Sequence, residues 1–240
     1  MFIRSVQIND LSQCEEYVRC LGAVRQICDM GGLPLDRSVT IFSGENGSGK
    51  STLLEAIAVK YGFNPEGGSM NFSFSTEETH SSLHSAVKLV REIERPKTGF
   101  FLRAETFYNA ASYIAGMDKE VLKAYGGTSL HDQSHGESFF SLFMNRFTGH
   151  GFYILDEPEA ALSPSRQMSL MIRLHELAEK GSQFIIATHS PLLLAYPNAL
   201  VYELNSDGIA EIPYEQTECF QTVRAFMKSP DRMLRNLFEE

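Results

Sequence analysis

The run GENGSGKS, at residues 44–51, combines residue types that bind a chain of phosphate groups. Its three glycines allow the backbone to turn so that successive N–H groups point inward, and a helix starting here adds the partial positive charge of its N-terminus. In the pattern G-x-x-x-x-G-K-[ST], Lys50 reaches the β and γ phosphates and the Ser51 hydroxyl binds Mg²⁺. A glycine-rich turn that only caps a helix is the alternative. The predicted nucleotide-binding loop comprises Gly44, Glu45, Asn46, Gly47, Ser48, Gly49, Lys50, Ser51 and Thr52.

Two carboxylates and a histidine follow apolar runs farther along the chain. The run FYILDE brings Asp156 to the end of a strand, where it would hold Mg²⁺, and is followed by Glu157, which could polarise an attacking water. The run ATHS ends another apolar stretch and places His189 at the same sheet edge, where ligands bind in open α/β sheets. A solvated strand-end carboxylate and an ordinary histidine are the alternatives. We predict that Asp156 is a metal ligand and that Glu157 and His189 are catalytic.

These side chains must be positioned by strands and helices. Residues 39–42, 152–155 and 184–187 are continuous apolar runs, which are typical of strands buried on both faces of a parallel sheet. The spacing of apolar residues predicts helices at 51–61 and 165–180. The predicted fold class is therefore α/β, with a mostly parallel sheet flanked by helices. The buried face of the second helix is predicted to comprise Met168, Met171, Leu174, Leu177 and Ala178.

Three further segments have weaker signals. Residues 82–95 have helical spacing and predict a helix that ends before the following proline. Residues 200–203 and 209–212 flank the turn signal NSDG and predict a hairpin. Residues 217–240 are predicted to be helical with a break at Pro230, and to pack on the core rather than remain free for docking.

The composition limits the classes of function. The chain has 240 residues and 43% hydrophobic content, enough for one main domain with a sizeable core. Its formal net charge of −9 gives no broad electrostatic footprint for nucleic acid, although a local basic patch is compatible with that total. The chain starts without an apolar signal core and has no apolar run of membrane-spanning length, which predicts a cytoplasmic protein without membrane insertion. Four cysteines without CxxC spacing are predicted to be reduced thiols: Cys14, Cys20, Cys28 and Cys219.

The order of Lys50, Asp156, Glu157 and His189 along the chain resembles that of the ATP-binding-cassette (ABC) ATPases. The resemblance implies a P-loop NTPase of the ABC type that uses ATP and Mg²⁺. It also implies a single ABC-type domain that extends over the 240 residues. The expected parts of this domain are a variable insertion at residues 64–99 and a helical signature subdomain at residues 100–150.

The run SHGES resembles the signature LSGGQ of this family, which opens a helix some twenty residues before the metal-binding aspartate. Ser134 falls on the signature serine, Gly136 on the second glycine and Glu137 on the glutamine, while His135 replaces the first glycine. The resemblance implies that these residues bind the γ-phosphate of a nucleotide held by another subunit. A serine N-cap with a glutamate at the capping-box position is the alternative.

Other family elements depart from the usual pattern. The run DEPEAALS resembles DEPTSALD, so its end would be the D-loop, with Ser163 in place of the usual aspartate. The run FFLRAETF is the candidate Q-loop but has no glutamine, and Glu105 could replace it as a metal or water ligand. A packing or salt-bridge role is the alternative for Glu105 and for Arg103. Tyr17 and Phe2 are the candidates for an aromatic residue that stacks on adenine.

The DEPE and THSP runs resemble those of soluble ABC ATPases of the structural-maintenance-of-chromosomes (SMC), RecF and overcoming-lysogenisation-defect types, and compact stand-alone ATPases most of all. That branch implies an ATP-dependent homodimer that hydrolyses ATP between head-to-tail copies. It also implies an unidentified effector or partner protein, in DNA maintenance or phage defence. The ATP-binding subunit of a membrane transporter and an ATP-sensing module with little turnover are the alternatives.

Overall fold

The computed structural model describes residues 1–69, 81–103 and 135–238, with the side chains of the last range described from residue 140. The strands in this part of the chain are β1 (Ile3–Ile8), β2 (Leu33–Pro34), β3 (Val39–Gly44), β4 (Val87–Arg91), β5 (Thr98–Arg103), β6 (Gly151–Asp156), β7 (Gln183–Ala187), β8 (Leu200–Leu204) and β9 (Ile209–Glu211). The main sheet has the order β5–β6–β7–β3–β8–β9. Its neighbouring strands are parallel except for β9, which runs antiparallel to β8.

The described helices surround these strands. They are α1 (Glu16–Cys20), α2 (Gly22–Asp29), α3 (Lys50–Tyr61), α4 (Leu83–Ala86), α5 (His135–Arg146), α6 (Pro164–Glu179), α7 (Pro191–Leu194), α8 (Glu218–Lys228) and α9 (Pro230–Phe238). One hydrophobic core lies between the main sheet and α3, and a second lies between the opposite face and α6. The side chains of β6 alternate between the two cores: Phe152 and Ile154 enter the first, and Tyr153 and Leu155 enter the second. The predicted α/β fold class is confirmed.

The three predicted central strands are present as β6, β7 and β3, which are neighbours in the sheet. Every residue of β6 and β7 is buried, because both faces of the sheet are covered, and this explains their continuous apolar runs. Their carboxyl ends meet at one edge, where the polar residues that follow them come together. The predicted hairpin is also present as β8 and β9.

The predicted helices that follow the P-loop and the D-loop are both present. Ser163 is the N-cap of α6 and its hydroxyl accepts a hydrogen bond from the Arg166 N–H, with proline in the first turn. Met168 is 51% exposed, so its place on the predicted buried face is wrong. The other four predicted residues pack on the second core together with Leu170: Met171, Leu174, Leu177 and Ala178.

The predicted helix at residues 82–95 is wrong. The helical segment is limited to α4, and the following residues form β4. This strand pairs antiparallel with β1, whose other edge pairs with β2, so that β2–β1–β4 make a second, three-stranded sheet. The pairing with β1 supplies backbone hydrogen bonds to a segment rich in β-branched residues, and this tertiary contact overrides the helical spacing.

A buried glutamine joins the two sheets. The Gln183 side chain, at the start of β7, accepts hydrogen bonds from the N–H groups of Phe2 and Ile3 at 2.7 and 2.9 Å. Its amide nitrogen donates to the carbonyl oxygens of Ile3 and Leu35 at 2.8 and 3.2 Å. This amide is therefore fully hydrogen-bonded, and it anchors the start of β1, the central strand of the three-stranded sheet, to the centre of the main sheet.

The C-terminal segment is helical with a break at Pro230, as predicted, but the prediction that it packs on the core is wrong. Neither α8 nor α9 contains a buried residue. The start of α8 contacts the core through the partly buried Cys219, and α9 packs on α8. In the ranges described, no helix is both long and apolar enough to cross a membrane. The exposed large apolar side chains of this segment are Val223, Met227, Leu234, Leu237 and Phe238.

Candidate functional site

The P-loop connects the end of β3 to the start of α3. Its three glycines adopt positive φ angles, which are +136° at Gly44, +82° at Gly47 and +96° at Gly49. Glycine is suited to this conformation because it lacks a Cβ atom. At Gly44 the requirement is also steric, since a Cβ atom would lie 2.0 Å from the carbonyl oxygen of Leu204. The loop therefore has the backbone turn that the sequence motif predicts.

Lys50 is the first residue of α3 and lies across the loop. Its side chain is almost fully buried, and its Nζ donates hydrogen bonds of 2.8 Å to the carbonyl oxygens of Gly44 and Glu45. Burial lowers the pKa of the Lys50 ammonium, and the nearby carboxylates of Glu157 and Asp156 partly oppose that shift. The ammonium is thus held among acceptors at the site where phosphate oxygens are expected.

A pocket of about 470 Å³ opens beside the P-loop. The loop and the start of α3 form one wall of this pocket, and Glu157 and Tyr17 contribute side chains from elsewhere in the chain. The structure therefore brings most of the predicted loop residues together with one predicted catalytic carboxylate. The described residues that line the pocket are Tyr17, Leu21, Asn46, Gly47, Gly49, Lys50, Ser51, Thr52 and Glu157.

The predicted metal ligands Ser51 and Asp156 are adjacent. The Ser51 hydroxyl donates to Oδ1 of Asp156 at 3.0 Å, and Asp156 is 6% exposed at the end of β6. A hydroxyl and a carboxylate are ligands that suit Mg²⁺, which takes one or two protein ligands together with phosphate oxygens. This mode of binding needs no larger protein cage, and the described side chains include no group of three or more histidine, cysteine or acidic residues that could hold a metal. The donor set fits a magnesium ion bound together with nucleotide.

Asp156 forms an ion pair with Arg103 at the end of β5. Arg103 lies opposite Asp156 in the register of β5 and β6, with its Nε atom 3.8 Å from Oδ2 of Asp156. The Arg103 guanidinium also donates to Glu55 of α3 at 2.6 Å, and Glu55 accepts a hydrogen bond from the Ser81 N–H. The salt-bridge alternative for Arg103 is therefore confirmed. Through these contacts Arg103 connects the P-loop helix α3 to the end of β6, where the predicted metal ligand Asp156 lies.

Glu157 has an unusual backbone conformation. Its φ is +51°, a value that is uncommon outside glycine, and its N–H donates to the carbonyl oxygen of Ala187 at 2.9 Å. The carboxylate is partly exposed, and its Oε1 lies 3.6 Å from Nε2 of His189. Strained backbone of this kind is concentrated at functional sites. The two predicted catalytic side chains therefore face each other, and Glu157 also lines the pocket.

The loop that carries His189 is fixed by side chains from other elements. The His189 N–H donates to Oε1 of Glu159 at 2.6 Å, and the His189 carbonyl oxygen accepts from Sγ of Cys219 at 2.7 Å. The next residue, Ser190, caps α7 and donates to Oε1 of Gln167 in α6 at 2.6 Å. Glu159 is not among the residues predicted from the sequence. Its signal there is a charged residue at the position where the ABC pattern DEPTSALD has threonine.

For four predicted site residues the structure describes either nothing or the backbone alone. Ser134 and Glu105 lie outside the described residues, and their roles stay predictions. Gly136 and Glu137 lie in the first turn of α5, which begins at His135, directly after Ser134.

The two candidates for adenine stacking lie in very different places. Phe2 is 1% exposed and packs edge-on against the ring of His150, so its assignment as a stacking residue is wrong. Tyr17 is 54% exposed and lines the P-loop pocket. Of the two, only Tyr17 has an aromatic face that a bound base could reach.

The variant Tyr17→Ala is expected to bind ATP about tenfold more weakly, because stacking of a base on an aromatic ring contributes on the order of 1–3 kcal/mol. Tyr17→Phe keeps the ring and is expected to bind as the unaltered chain does. Isothermal titration calorimetry with ATP measures both affinities. Equal affinity of the alanine variant would exclude Tyr17 from the base-binding site.

Comparison with known families adds a separate observation. Residues 23–106 match a family model described as an AAA domain. Residues 128–195 match a second AAA-domain model, whose description also names the AbiEii toxin and type IV toxin–antitoxin systems. The fold is similar to that of a nucleotide-free ATP-binding cassette from an ABC transporter, with a TM-score of 0.50 and 16% identity over 96% of this chain and 98% of that one. Together, the two AAA-domain matches and the cassette fold support an ABC-type ATPase.

The chain is also similar to proteins of further ABC transporters. Its fold is also similar to that of cbiO1 from Clostridium perfringens, part of the ABC transporter complex cbiONQ, with a TM-score of 0.51 and 17% identity over 99% of this chain and 100% of that one. The ABC transporter G family member 22 of Arabidopsis thaliana is 24% identical over 173 residues, which are 64% of this chain and 23% of that protein. The ABC transporter ATP-binding/permease protein Rv1747 of Mycobacterium tuberculosis is 25% identical over 169 residues, 63% of this chain and 19% of that protein. The chain thus spans less than a quarter of the length of these two relatives.

Proposed function

We propose that two copies of this ATPase domain bind ATP head to tail and hydrolyse it with Mg²⁺. The observation that carries the proposal is the position of the Glu157 carboxylate, which lines the P-loop pocket and lies 3.6 Å from His189. The same pocket contains a buried lysine and lies beside a serine–aspartate pair. A phosphate-binding cation, a pair of metal ligands and a base are the groups that phosphoryl transfer to water requires.

Each residue then has a defined task. The P-loop N–H groups and Lys50 bind the β and γ phosphates. Ser51 and Asp156 would hold Mg²⁺, which would supply neutralising charge at the phosphate oxygens. The Glu157 carboxylate orients a water molecule and accepts its proton while the water oxygen bonds to the γ phosphorus. The bond from that phosphorus to the bridging oxygen breaks, and ADP keeps this oxygen. His189 contacts the departing γ-phosphate through Nε2.

The second copy supplies the other side of the site. In the ABC resemblance the signature serine and glycine act on a nucleotide held by another subunit, and Ser134 and Gly136 occupy those positions. The start of α5 directly after Ser134 supports this assignment, since a helix N-terminus binds anions. ATP would then hold the two copies together, and loss of the γ-phosphate would release them.

The variant Glu157→Gln tests this arrangement by its mass in solution, measured by size-exclusion chromatography with light scattering. A shift from monomer to dimer is expected with ATP and Mg²⁺ and not without them. Adding Ser134→Arg is expected to abolish the shift, because the arginine side chain would block the contact with the partner's nucleotide. An identical mass with and without nucleotide would contradict the signature assignment and favour an ATP-sensing module.

A transporter ATP-binding subunit is a second candidate, because the relatives and structures to which the chain is similar are ABC transporter proteins. Recovery of the tagged chain with a membrane protein from host membranes would support this candidate. The family description that names a toxin–antitoxin system supports an effector in defence. The net charge of −9 gives no support for direct binding of nucleic acid.

A further inference from the structure

The main chain of His189 is bound by two side chains that are distant in sequence. Its N–H donates to Glu159, which follows β6, and its carbonyl oxygen accepts from Cys219, in the first turn of α8. The first bond, at 2.6 Å, is short for an N–H donor. It joins the loop after β7 to the loop after β6, which carries Glu157.

The Glu159 side chain accepts this bond at a cost in folding free energy. Its Oε2 atom is buried and has no hydrogen-bond partner among the residues that the structure describes. A buried carboxylate oxygen without a donor costs free energy, and an apolar side chain at this position would avoid that cost but could not accept the His189 N–H. Packing alone therefore does not explain a glutamate at this position.

The orientation of the His189 side chain indicates what the bond from its N–H to Glu159 does. The His189 Nε2 atom is buried, has no hydrogen-bond partner within the described ranges, and lies 3.6 Å from Oε1 of Glu157. The two main-chain bonds of His189 hold its backbone in place, and the imidazole extends from there toward Glu157. If the loop moved, both the distance to Glu157 and the direction of Nε2 would change.

We propose that Glu159 is a positioning residue, which fixes the His189 main chain so that Nε2 faces Glu157 and the γ-phosphate. This inference rests on the proposed ATP hydrolysis, because His189 acts there. Displacement of a catalytic group by about 1 Å can reduce turnover by on the order of a hundredfold. Loss of the Glu159 bond is therefore expected to lower kcat by about ten- to a hundredfold while the affinity for ATP stays unchanged.

Two substitutions separate positioning from folding. Glu159→Ala removes the acceptor and is expected to show the full loss of kcat. Glu159→Gln keeps an oxygen that can accept the His189 N–H and is expected to retain most of the turnover. In a His189→Ala background, Glu159→Ala is expected to cause no further loss, because the side chain that it positions is already absent. Additive losses in that double variant, or equal losses in the alanine and glutamine variants, would overturn the inference.

A second readout does not depend on turnover. The imidazole signals of His189 in NMR spectra of the folded chain are expected to shift in Glu159→Ala and to stay nearly unchanged in Glu159→Gln. If the unaltered chain hydrolyses ATP and Glu159→Ala does so at the same rate, the positioning role is wrong and the proposed function stands. If the unaltered chain does not hydrolyse ATP, the proposed function is wrong, and unchanged His189 signals in Glu159→Ala would overturn the positioning role as well.

Discussion

Glu157→Gln is expected to hydrolyse ATP about two to four orders of magnitude more slowly than the unaltered chain, while it still binds ATP. Glutamine has nearly the same shape as glutamate but cannot accept a proton from water. The hydrogen bond from the main-chain N–H of residue 157 to Ala187 does not involve the side chain, so the backbone of the site is retained. The decrease in the rate of ATP hydrolysis would therefore measure what the Glu157 carboxylate contributes to catalysis.

Phosphate release at saturating ATP measures this loss, and calorimetry measures whether ATP binding persists. Glu215→Gln is a matched control, because Glu215 is exposed and is not among the described residues that line the P-loop pocket. Its rate is expected to equal that of the unaltered chain. A normal rate in Glu157→Gln would show that another group activates the water.

Gln183→Leu is expected to lower the free energy of unfolding by about 4 kcal/mol, from the cost of buried groups left without partners. The glutamine amide bonds to two N–H groups and two carbonyl oxygens in a fully buried environment. Leucine fills a similar volume but can bond to none of the four. The gain from one more apolar side chain offsets only part of that loss.

Urea-induced unfolding followed by circular dichroism measures this change. For a domain of this size, the loss corresponds to a decrease in Tm of roughly 8–16 °C. Gln13→Leu is the control, because Gln13 is exposed, and a surface substitution of this kind is expected to change stability by less than about 0.5 kcal/mol. A loss below about 1 kcal/mol in Gln183→Leu would mean that water or another group bonds to the four backbone atoms.

The central strands and the P-loop could be predicted because their signals are local. The apolar runs of β3, β6 and β7 are continuous, and the glycines at positions 44, 47 and 49 stand where the backbone needs positive φ. Asp156 and Glu157 follow directly from the end of β6. In each case a few neighbouring residues contain the whole pattern.

The features that were missed depend on contacts between distant parts of the chain. Residues 87–91 fit either a helix or a strand, and pairing with β1 decides between them. Glu159 is charged like many solvated loop residues, and its bond to His189 becomes visible only when the ends of β6 and β7 are placed side by side. The apolar spacing of the last two helices predicts an amphipathic face and does not say whether that face is covered.

The positive φ of Glu157 has a consequence for how stability and activity are related. A non-glycine residue in the left-handed region costs the native state on the order of 1–2 kcal/mol, and glycine would remove most of that strain. Glycine would therefore be the most stable residue at position 157, and glycine has no carboxylate. If Glu157 activates water, selection for stability alone would favour its replacement and so the loss of ATP hydrolysis. Variants selected for heat resistance should therefore be checked first for a substitution at position 157.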